Sequence, residues 1–537
     1  MTNQQPEIPN ESAWSPLRRP LFRALWIASL MSNIGTWMHE AGAGWLMTSL
    51  TASPLMVALM QTATTLPVLL LGLPAGALAD VVDRRRMLLF TQAWMLMAAA
   101  ILGVFTLLNV TTPWLLLILT FVLGAGAAMN APAWQATAPE LVSRPELPAA
   151  VGLTGMGLNL ARAVGPALGG VVIATTGPSA VFLLNALSFL SVMAVLYHWR
   201  RRTKVSSVPA EPVLSAIRAA IRYVRYAPAL SAVLVRTGMF VLFASALWAL
   251  LPVLARHEMG LSSIGYGILF GCLGAGAVVG AIVLPALRRR CSTESLAVGA
   301  TIAFAVVTAA LAEVRHFGWL CVVMIAGGAA WITLMASFNV ATQMTVPSWV
   351  RARALALYLL TFHGGMAAGS VVWGSLAQHG GVSVALWCAA GGLIVGLGAM
   401  AWYSLTESGE LDLTPSSHWP EPPVAVEPHL DDGPVLVMIE YRIRTKHARD
   451  FIFAMQAVRQ QRLRDGALRS GLYRDPTDRG RYLETFVVES WAEHRRIHER
   501  VTVSDRIAEE RARAFHIGQA PPVVSHYVYA HPSEMPN

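Results

Sequence analysis

Ionisable and amide side chains lie inside several long apolar stretches of this sequence. His39 and Glu40 stand midway through the first stretch, Asn159 and Arg162 stand three residues apart in the fifth, and His363 stands in the eleventh. Such side chains are costly inside a membrane and mark ion or substrate pathways. A buried glutamate takes up and releases a proton when desolvation shifts its titration. The pattern therefore predicts a path for a small molecule and a proton.

Each of these residues also has a structural interpretation. Glu40 is the leading candidate for proton coupling, and the alternatives are a structural hydrogen bond or a place near the outer surface. Arg162 either pairs with Glu40, attracts an anionic ligand, or forms a fixed ion pair between helices. His363 can titrate near neutral pH, but a histidine beside glycines more often packs or hydrogen-bonds. Arg236 is interpreted as a structural residue that snorkels to the surface.

Aromatic side chains supply walls for such a path. Tryptophans anchor helices at membrane interfaces, so a pocket role for any one of them competes with anchoring. The candidates within the apolar stretches are Trp37, Trp45, Trp134, Trp248, Trp331 and Trp373.

The elements that must position these residues are membrane helices. Charged residues make up 13% of the chain and hydrophobic residues 55%, whereas soluble proteins average about 25% charged. The sequence thus predicts an all-α polytopic membrane protein with 12 transmembrane helices in two six-helix halves, followed by a small C-terminal α+β domain. The predicted spans are 22–48, 54–79, 87–108, 112–138, 147–175, 179–199, 229–255, 264–287, 292–312, 317–346, 350–378 and 382–404.

Arginine clusters fall on one side of these spans, which predicts that this side is cytoplasmic and holds both termini. The same placement explains the net charge of +9 without nucleic-acid binding. The predicted parts are a cytoplasmic N-terminal tail (1–21), the N-terminal half (22–199), a cytoplasmic linker (200–228), the C-terminal half (229–404), a linker rich in proline and acids (405–433) and a soluble domain (434–537). In the 200–228 linker, Arg222 and Arg225 lie on the polar face of a predicted interfacial helix.

The soluble domain has the pattern β-α-β-β-α-β, which predicts a ferredoxin-like fold. Its expected role is dimerisation or regulation. His494 and His498 lie four residues apart on a predicted helix, but a solvated charged face is the favoured interpretation, and we expect no metal and no cofactor.

The stretch from Gly76 to Arg86, GALADVVDRRR, separates two spans with an acid on each side of a turn and a basic cluster. Asp80 and Asp83 with Arg84 and Arg85 predict an ion-pair latch between helices that separate and rejoin. The alternative is a plain topology signal.

These residues carry a resemblance to a known family. Gly76, Asp80, Arg84 and Arg85 resemble the loop motif of the major facilitator superfamily, although Asp83 stands where glycine is usual. The fifth span resembles the glycine-proline motif of its exporters at Gly152, Gly165, Pro166, Gly169 and Gly170.

The stretches 23–51, 74–86 and 159–170 are most similar to the transmembrane secretion effector branch, which includes the enterobactin exporter. The tail is similar to antibiotic biosynthesis monooxygenase domains. The resemblance implies a transporter rather than an enzyme, with proton-coupled efflux of a small hydrophobic or amphipathic compound, drug-like or siderophore-like, across the bacterial inner membrane. The alternatives are an importer of the same fold and a membrane-tethered monooxygenase-like enzyme. Expected partners are the substrate, protons, the lipid bilayer and, through the C-terminal domain, a second copy of the chain.

Overall fold

The structure is a computed structural model that describes residues 14–199, 221–400, 412–416, 418–419 and 428–530. The chain divides into two compact units. The first comprises Met1–Ala210, Val235–Phe338 and Tyr358–Tyr403, and the second comprises Glu211–Leu234, Asn339–Leu357 and Ser404–Asn537. Most of the predicted N-terminal tail, residues 200–220 of the predicted cytoplasmic linker and much of the 405–433 linker lie outside the described residues.

Long helices build the membrane body. Their bounds are α1 Pro20–Leu50, α2 Pro54–Val81, α3 Arg84–Leu107, α4 Pro113–Gln135, α5 Leu147–Thr176, α6 Pro178–His198, α7 Pro228–Val253, α8 Ser263–Arg288, α9 Thr293–Glu313, α10 Phe317–Met344, α11 Arg351–Gly380 and α12 Val382–Met400.

Ten of these helices, α2 to α11, are long and apolar enough to cross a membrane. The part of α12 from Val382 to Gly398 counts as a shorter apolar helix. Helix α1 carries His39 and Glu40, and it is not among these ten helices. The structure thus confirms a multi-helix membrane body, while twelve crossings stay a prediction.

Capping side chains explain why the helices begin where they do. Ser53 accepts a hydrogen bond from the backbone N–H of Met56 at 3.3 Å, and Thr112 accepts one from Leu115 at 3.3 Å. Proline follows each cap, where its missing N–H costs nothing. Short polar turns therefore fix the starts of the helices.

The start of the second half departs from expectation at two arginines. The side chain of Arg236 is fully buried and pairs with Glu294 on α9, so Arg236 does not snorkel. Residues 221–226 are helical, but Arg222 contacts Glu493 of the C-terminal domain at 3.5 Å, and Tyr223 is buried. Arg222 on the polar face of this helix therefore contacts a protein surface, and membrane contact by the apolar face stays a prediction.

The C-terminal domain contains a four-stranded antiparallel sheet in the order β2-β3-β1-β4. Alternate residues of β1 and β3 point into one core with Phe451 and Trp491. The elements are β1 Val435–Arg442, α13 Ala448–Asp465, β2 Arg469–Arg474, β3 Arg481–Val488, α14 Trp491–Arg500, α15 Val503–Arg513 and β4 Val523–Val528. The predicted second helix is thus two helices, because Thr502 ends one and caps the next with a capping box.

Arg495, Arg496 and Glu499 of α14 are exposed as expected of a solvated charged face, but the two histidines of this helix are not. His494 is 1% exposed, and its ring lies 4.8 Å from those of both His498 and His526. Burial lowers the pKa of His494 to about 3 and that of His498 to about 4. Within the described ranges, no group of His, Cys, Asp or Glu side chains is arranged to hold a metal ion.

A charge cluster lies buried in the same domain. Arg462 on α13 donates to Glu484 on β3 at 3.0 Å and to Glu509 on α15 at 2.5 Å. Burial alone would raise the pKa of Glu509, but Arg462 and hydrogen bonds from His418 and Trp419 outweigh it and lower that pKa to about 2. His418 and Trp419 therefore fix this part of the 405–433 linker on the domain.

Candidate functional site

Two adjoining cavities lie in the middle of the membrane body. Their volumes are about 250 and 210 Å³. Helices of both halves line them, with α1 and α2 from the first half and α7, α8 and α11 from the second. The residues that line both cavities are Glu40, Gln61, Thr64, Trp248, Phe270 and His363.

Glu40 and Arg162 reach this site from different helices. Glu40 on α1 lines both cavities, and Arg162 on α5 lines the smaller one. Among the described residues neither side chain forms an ion pair or hydrogen bond, and Arg162 Nε is buried without a partner. The guanidinium lies 5.0 Å from the centre of the Trp37 ring. The predicted direct pair between Glu40 and Arg162 is therefore not formed in this conformation.

The two histidines lie in the same region, and the asparagine does not. His39 is 2% exposed, lines the larger cavity and packs on Phe182, and neither ring nitrogen has a hydrogen-bond partner among the described residues. His363 lines both cavities, and its Nδ1 is buried without a partner. Asn159, one turn before Arg162, lines neither cavity.

Three of the six candidate tryptophans form cavity walls. Trp248 lines both cavities, and Trp37 and Trp331 line the smaller one. The rings of Trp248 and Trp331 are 4.1 Å apart, so they form one aromatic surface. Trp45 stacks on Tyr266 instead, and Trp373 donates to the backbone of Leu242. Trp134 packs in a separate hydrophobic cluster.

Sequence reasoning missed the polar residues of α2. Gln61, Thr64 and Thr65 line the smaller cavity and provide neutral hydrogen-bonding groups. The signal was present as the run QTATT at 61–65 inside an apolar span. It was overlooked because hydroxyls can also bond their own helix, as Thr64 and Thr65 do.

The glycine-proline motif of α5 brings three helices together. A Cβ added at Gly165 would lie 2.6 Å from Cβ of Trp37, and one at Gly169 would lie 3.2 Å from Cα of Met38. These contacts hold α5 against α1. They place Arg162, which is one turn before Gly165, beside the Trp37 ring.

The second contact of the motif is with α8. A Cβ at Gly170 would lie 2.5 Å from the carbonyl oxygen of Ser263, and one at Gly267 would lie 2.6 Å from that of Pro166. Gly152 differs, because an added Cβ there meets nothing within 4 Å. The expected close packing is thus absent at Gly152.

The loop between α2 and α3 uses its charges in separate ways. Asp83 accepts a hydrogen bond from the backbone N–H of Arg86 at 3.0 Å and caps α3. Arg84 pairs with Glu140 at 2.7 Å, while Arg85 donates to two backbone carbonyls at the end of α6.

Two further residues of this loop were predicted to matter. The side chain of Asp80 lies outside the described atoms. A Cβ added at Gly76 meets nothing within 4 Å, so close helix packing does not explain that glycine here.

Hydrogen bonds join the two halves at the end of the body opposite the arginine-rich loops. Ser53 on the first half donates to Gln378 at 2.7 Å. His257 lies 3.1 Å from the carbonyl oxygen of Thr48, and Ser263 donates to that of Gly170 at 3.1 Å.

Comparison with known proteins extends this description. A family model described as transmembrane secretion effector matches residues 11–534. The staphyloferrin A transporter of Staphylococcus aureus is 25% identical over 48% of this chain, which covers 65% of that protein, less than two thirds of its length. A multidrug efflux pump of Mycolicibacterium fortuitum is 26% identical over 68% of the chain and 91% of its own length. The enterobactin exporter of Salmonella choleraesuis is 28% identical over 56% of the chain and 74% of its own length.

A solved structure shares the fold of the membrane body. A bacterial homologue of the human lysosomal transporter Spinster, inward-facing and unoccupied, covers 72% of this chain and 96% of its own, with a TM-score of 0.56 and 13% identity. These relatives are transporters, in agreement with the prediction of a transporter rather than an enzyme.

Proposed function

Because the chain belongs to the transmembrane secretion effector family of the major facilitator superfamily, we propose that it exports a small amphipathic compound in exchange for protons. The compound crosses the bacterial inner membrane outward through twelve helices, with both termini in the cytoplasm. Two relatives whose names state export or efflux support this direction.

The observation that carries the proposal is that Glu40 and Arg162 both line one aromatic cavity but do not form an ion pair with each other. Glu40 faces the cavities without an ion pair, and Arg162 faces the smaller one from above the Trp37 ring. Leaving ionisable groups unpaired inside a membrane costs stability. A site that binds protons and a polar ligand accounts for this cost.

Exchange requires that a proton and the substrate compete. The ionised carboxylate of Glu40 accepts either a proton or a donor group of the substrate, such as an ammonium or N–H, and it cannot hold both strongly. The positive charge of Arg162 binds acceptor groups of the substrate. Proton entry at Glu40 thus displaces the compound.

The cavity walls define the rest of the ligand. Trp37, Trp248 and Trp331 supply flat aromatic surface, and Gln61 and Thr64 supply neutral hydrogen-bonding groups. Such a site suits a planar or aromatic compound that carries a donor group.

The halves are hydrogen-bonded at the end opposite the arginine-rich loops, and the arginine-rich end is the predicted cytoplasmic one. We assign Asp80 to the cytoplasmic latch that closes the arginine-rich end during transport. His39 and His363 line the cavities rather than bind the proton, and Asn159 packs outside them.

The C-terminal domain offers a surface for a second copy of the chain. The sheet face opposite the core presents Leu436, Met438, Leu483 and Val487, all partly exposed. We assign this face to a homodimer and give the monooxygenase-like domain no catalytic role. Met438→Lys should halve the mass of the detergent-solubilised protein in native mass spectrometry, and an unchanged mass overturns the assignment.

Direction-resolved flux tests the proposed function. Inverted membrane vesicles with and without the protein are energised, and fluorescent aromatic amines are followed. We expect accumulation inside inverted vesicles that collapses when the pH gradient is dissipated. Uptake by intact cells without accumulation in inverted vesicles would identify an importer instead.

A further inference from the structure

The second compact unit contains two short segments of the membrane body together with the C-terminal domain. These segments are 211–234, which leads into α7, and 339–357, which holds the turn between α10 and α11. Described contacts join all three parts. The unit is therefore built across parts that lie far apart in the sequence.

Three charged residues of the domain form the contact surface, which we call the docking surface: Arg464, Glu493 and Arg500. Glu493 contacts Arg222 at 3.5 Å. The guanidinium of Arg464 lies 5.7 Å from the ring centre of Tyr223.

The third contact reaches the other segment. The guanidinium of Arg500 lies 4.5 Å from the ring centre of Trp349, which is in the α10–α11 turn. The rings of Trp349 and Tyr223 meet edge to face at 5.6 Å. Cation–π contacts of this kind are attractive, and more so when partly desolvated.

Internal bonds hold the docking surface rigid. Arg500 donates to the backbone oxygen of Asp465 at 2.5 Å and to Glu493 at 2.6 Å. Arg464 donates to Asp465 at 2.8 Å and to Asp505 at 2.7 Å. Bonds within the domain therefore hold these side chains in place independently of the membrane helices.

The receiving side is also a packed structure. Tyr223 is 2% exposed. It belongs to a cluster of buried residues drawn from both segments, namely Tyr223, Ala227, Leu230, Val346, Val350 and Ala354. The start of α7 and the turn before α11 therefore form one block with the docking surface.

We propose that the C-terminal domain is a brake on transport that acts by holding this block. Helix α7 continues from the block to Trp248, and α11 continues to His363, and both residues line the cavities. Rocking of the halves requires the ends of these helices to move, and a docked domain restrains them. This inference rests on the proposed function only for its transport readout.

Two substitutions release the block without touching the cavities. Trp349→Leu removes the ring that Arg500 covers, and Arg222→Gln removes the partner of Glu493. Arg225→Gln is the matched control, because Arg225 is an exposed arginine on the same short helix with a described contact only to Tyr226. Deletion of residues 412–537 removes the domain altogether.

The first measurement is hydrogen exchange of the full-length protein in detergent. Peptides covering 221–226 and 345–350 should lose protection in Trp349→Leu, in Arg222→Gln and in the deletion variant, and keep it in Arg225→Gln. Retained protection in the deletion variant would overturn the docking contact itself, whether or not the protein transports.

The second measurement is flux in inverted vesicles. Trp349→Leu and the deletion variant should transport at least about fivefold faster than the wild type, and Arg225→Gln should match the wild type. Equal or slower transport by protein that has lost protection overturns the brake. If neither the wild type nor any variant transports, the proposed function is wrong. Hydrogen exchange then decides on its own whether the domain docks.

Discussion

Charged side chains are buried in two regions of this molecule, and the two regions treat them differently. In the C-terminal domain Arg462 bonds both Glu484 and Glu509. In the membrane body Glu40 and Arg162 line a common cavity, but among the described residues they form no ion pair. A buried charge without a partner is costly, so it persists where the charge has another use. We therefore propose the cavity as the transport site and assign the domain cluster to the fold.

Replacing one arginine in each region should distinguish the two regions most clearly. Arg462→Met leaves two buried carboxylates without a cation and should lower the free energy of unfolding of the C-terminal domain by about 3–5 kcal/mol. Arg162→Met should change stability by less than about 1 kcal/mol and abolish transport. Hydrogen exchange of the full-length protein and vesicle flux measure the two effects. Equal destabilisation by both substitutions would remove the distinction.

Acidification should weaken the domain, because its histidines are held neutral. Burial sets the pKa of His494 at about 3 and that of His498 at about 4, below the value of about 6.5 in an unfolded chain. The unfolded state then binds more protons, so stability is complete above pH 6.5 and is lost below it. Between pH 7 and pH 5.5 the domain should lose about 2–3 kcal/mol.

Urea unfolding followed by tryptophan fluorescence at the two pH values measures this loss. In His494→Phe the loss should be smaller. A domain that gains stability on acidification would contradict the assigned neutral state.

Glycine substitutions test packing within the membrane body. Gly165→Ala pushes a methyl group against Trp37 and should destabilise the body by about 1–3 kcal/mol. Gly152→Ala, its matched control, meets open space and should alter stability by less than about 0.5 kcal/mol. Thermal unfolding in detergent gives the comparison, and equal losses at both glycines would show that α5 packs differently.

The smallest effect is expected at the loop between α2 and α3. Asp83→Ala removes the cap of α3 and should cost about 1 kcal/mol, whereas Asp83→Asn keeps a capping oxygen and should cost little. Asp80→Asn should reduce flux more than Asp83→Asn. The opposite order would place the latch on Asp83.

The sequence predicted the positions of helices and strands better than the contacts between them. Apolar runs bounded by prolines and capping residues located the described helices to within a few residues, because helix length in a membrane is physically constrained. The strand pattern likewise located the described sheet, although Thr502 splits the second helix.

Contacts that depend on distant parts of the chain were not predictable. Glu40 and Arg162 were identified as buried charges, but their place on one cavity depends on how α5 packs against α1, for example at Gly165. Arg222 was placed on the polar face of an interfacial helix, and nothing in that helix reveals that Glu493 lies beside it.

The central claim is that Glu40 carries the exchanged proton. Its most direct test uses purified wild-type protein and Glu40→Gln in proteoliposomes with an imposed pH gradient and a substrate found by the vesicle screen. We predict that the gradient drives substrate transport by the wild type, and that Glu40→Gln exchanges substrate at equilibrium but gains nothing from the gradient. Gradient-driven transport by Glu40→Gln at the wild-type level would contradict the account.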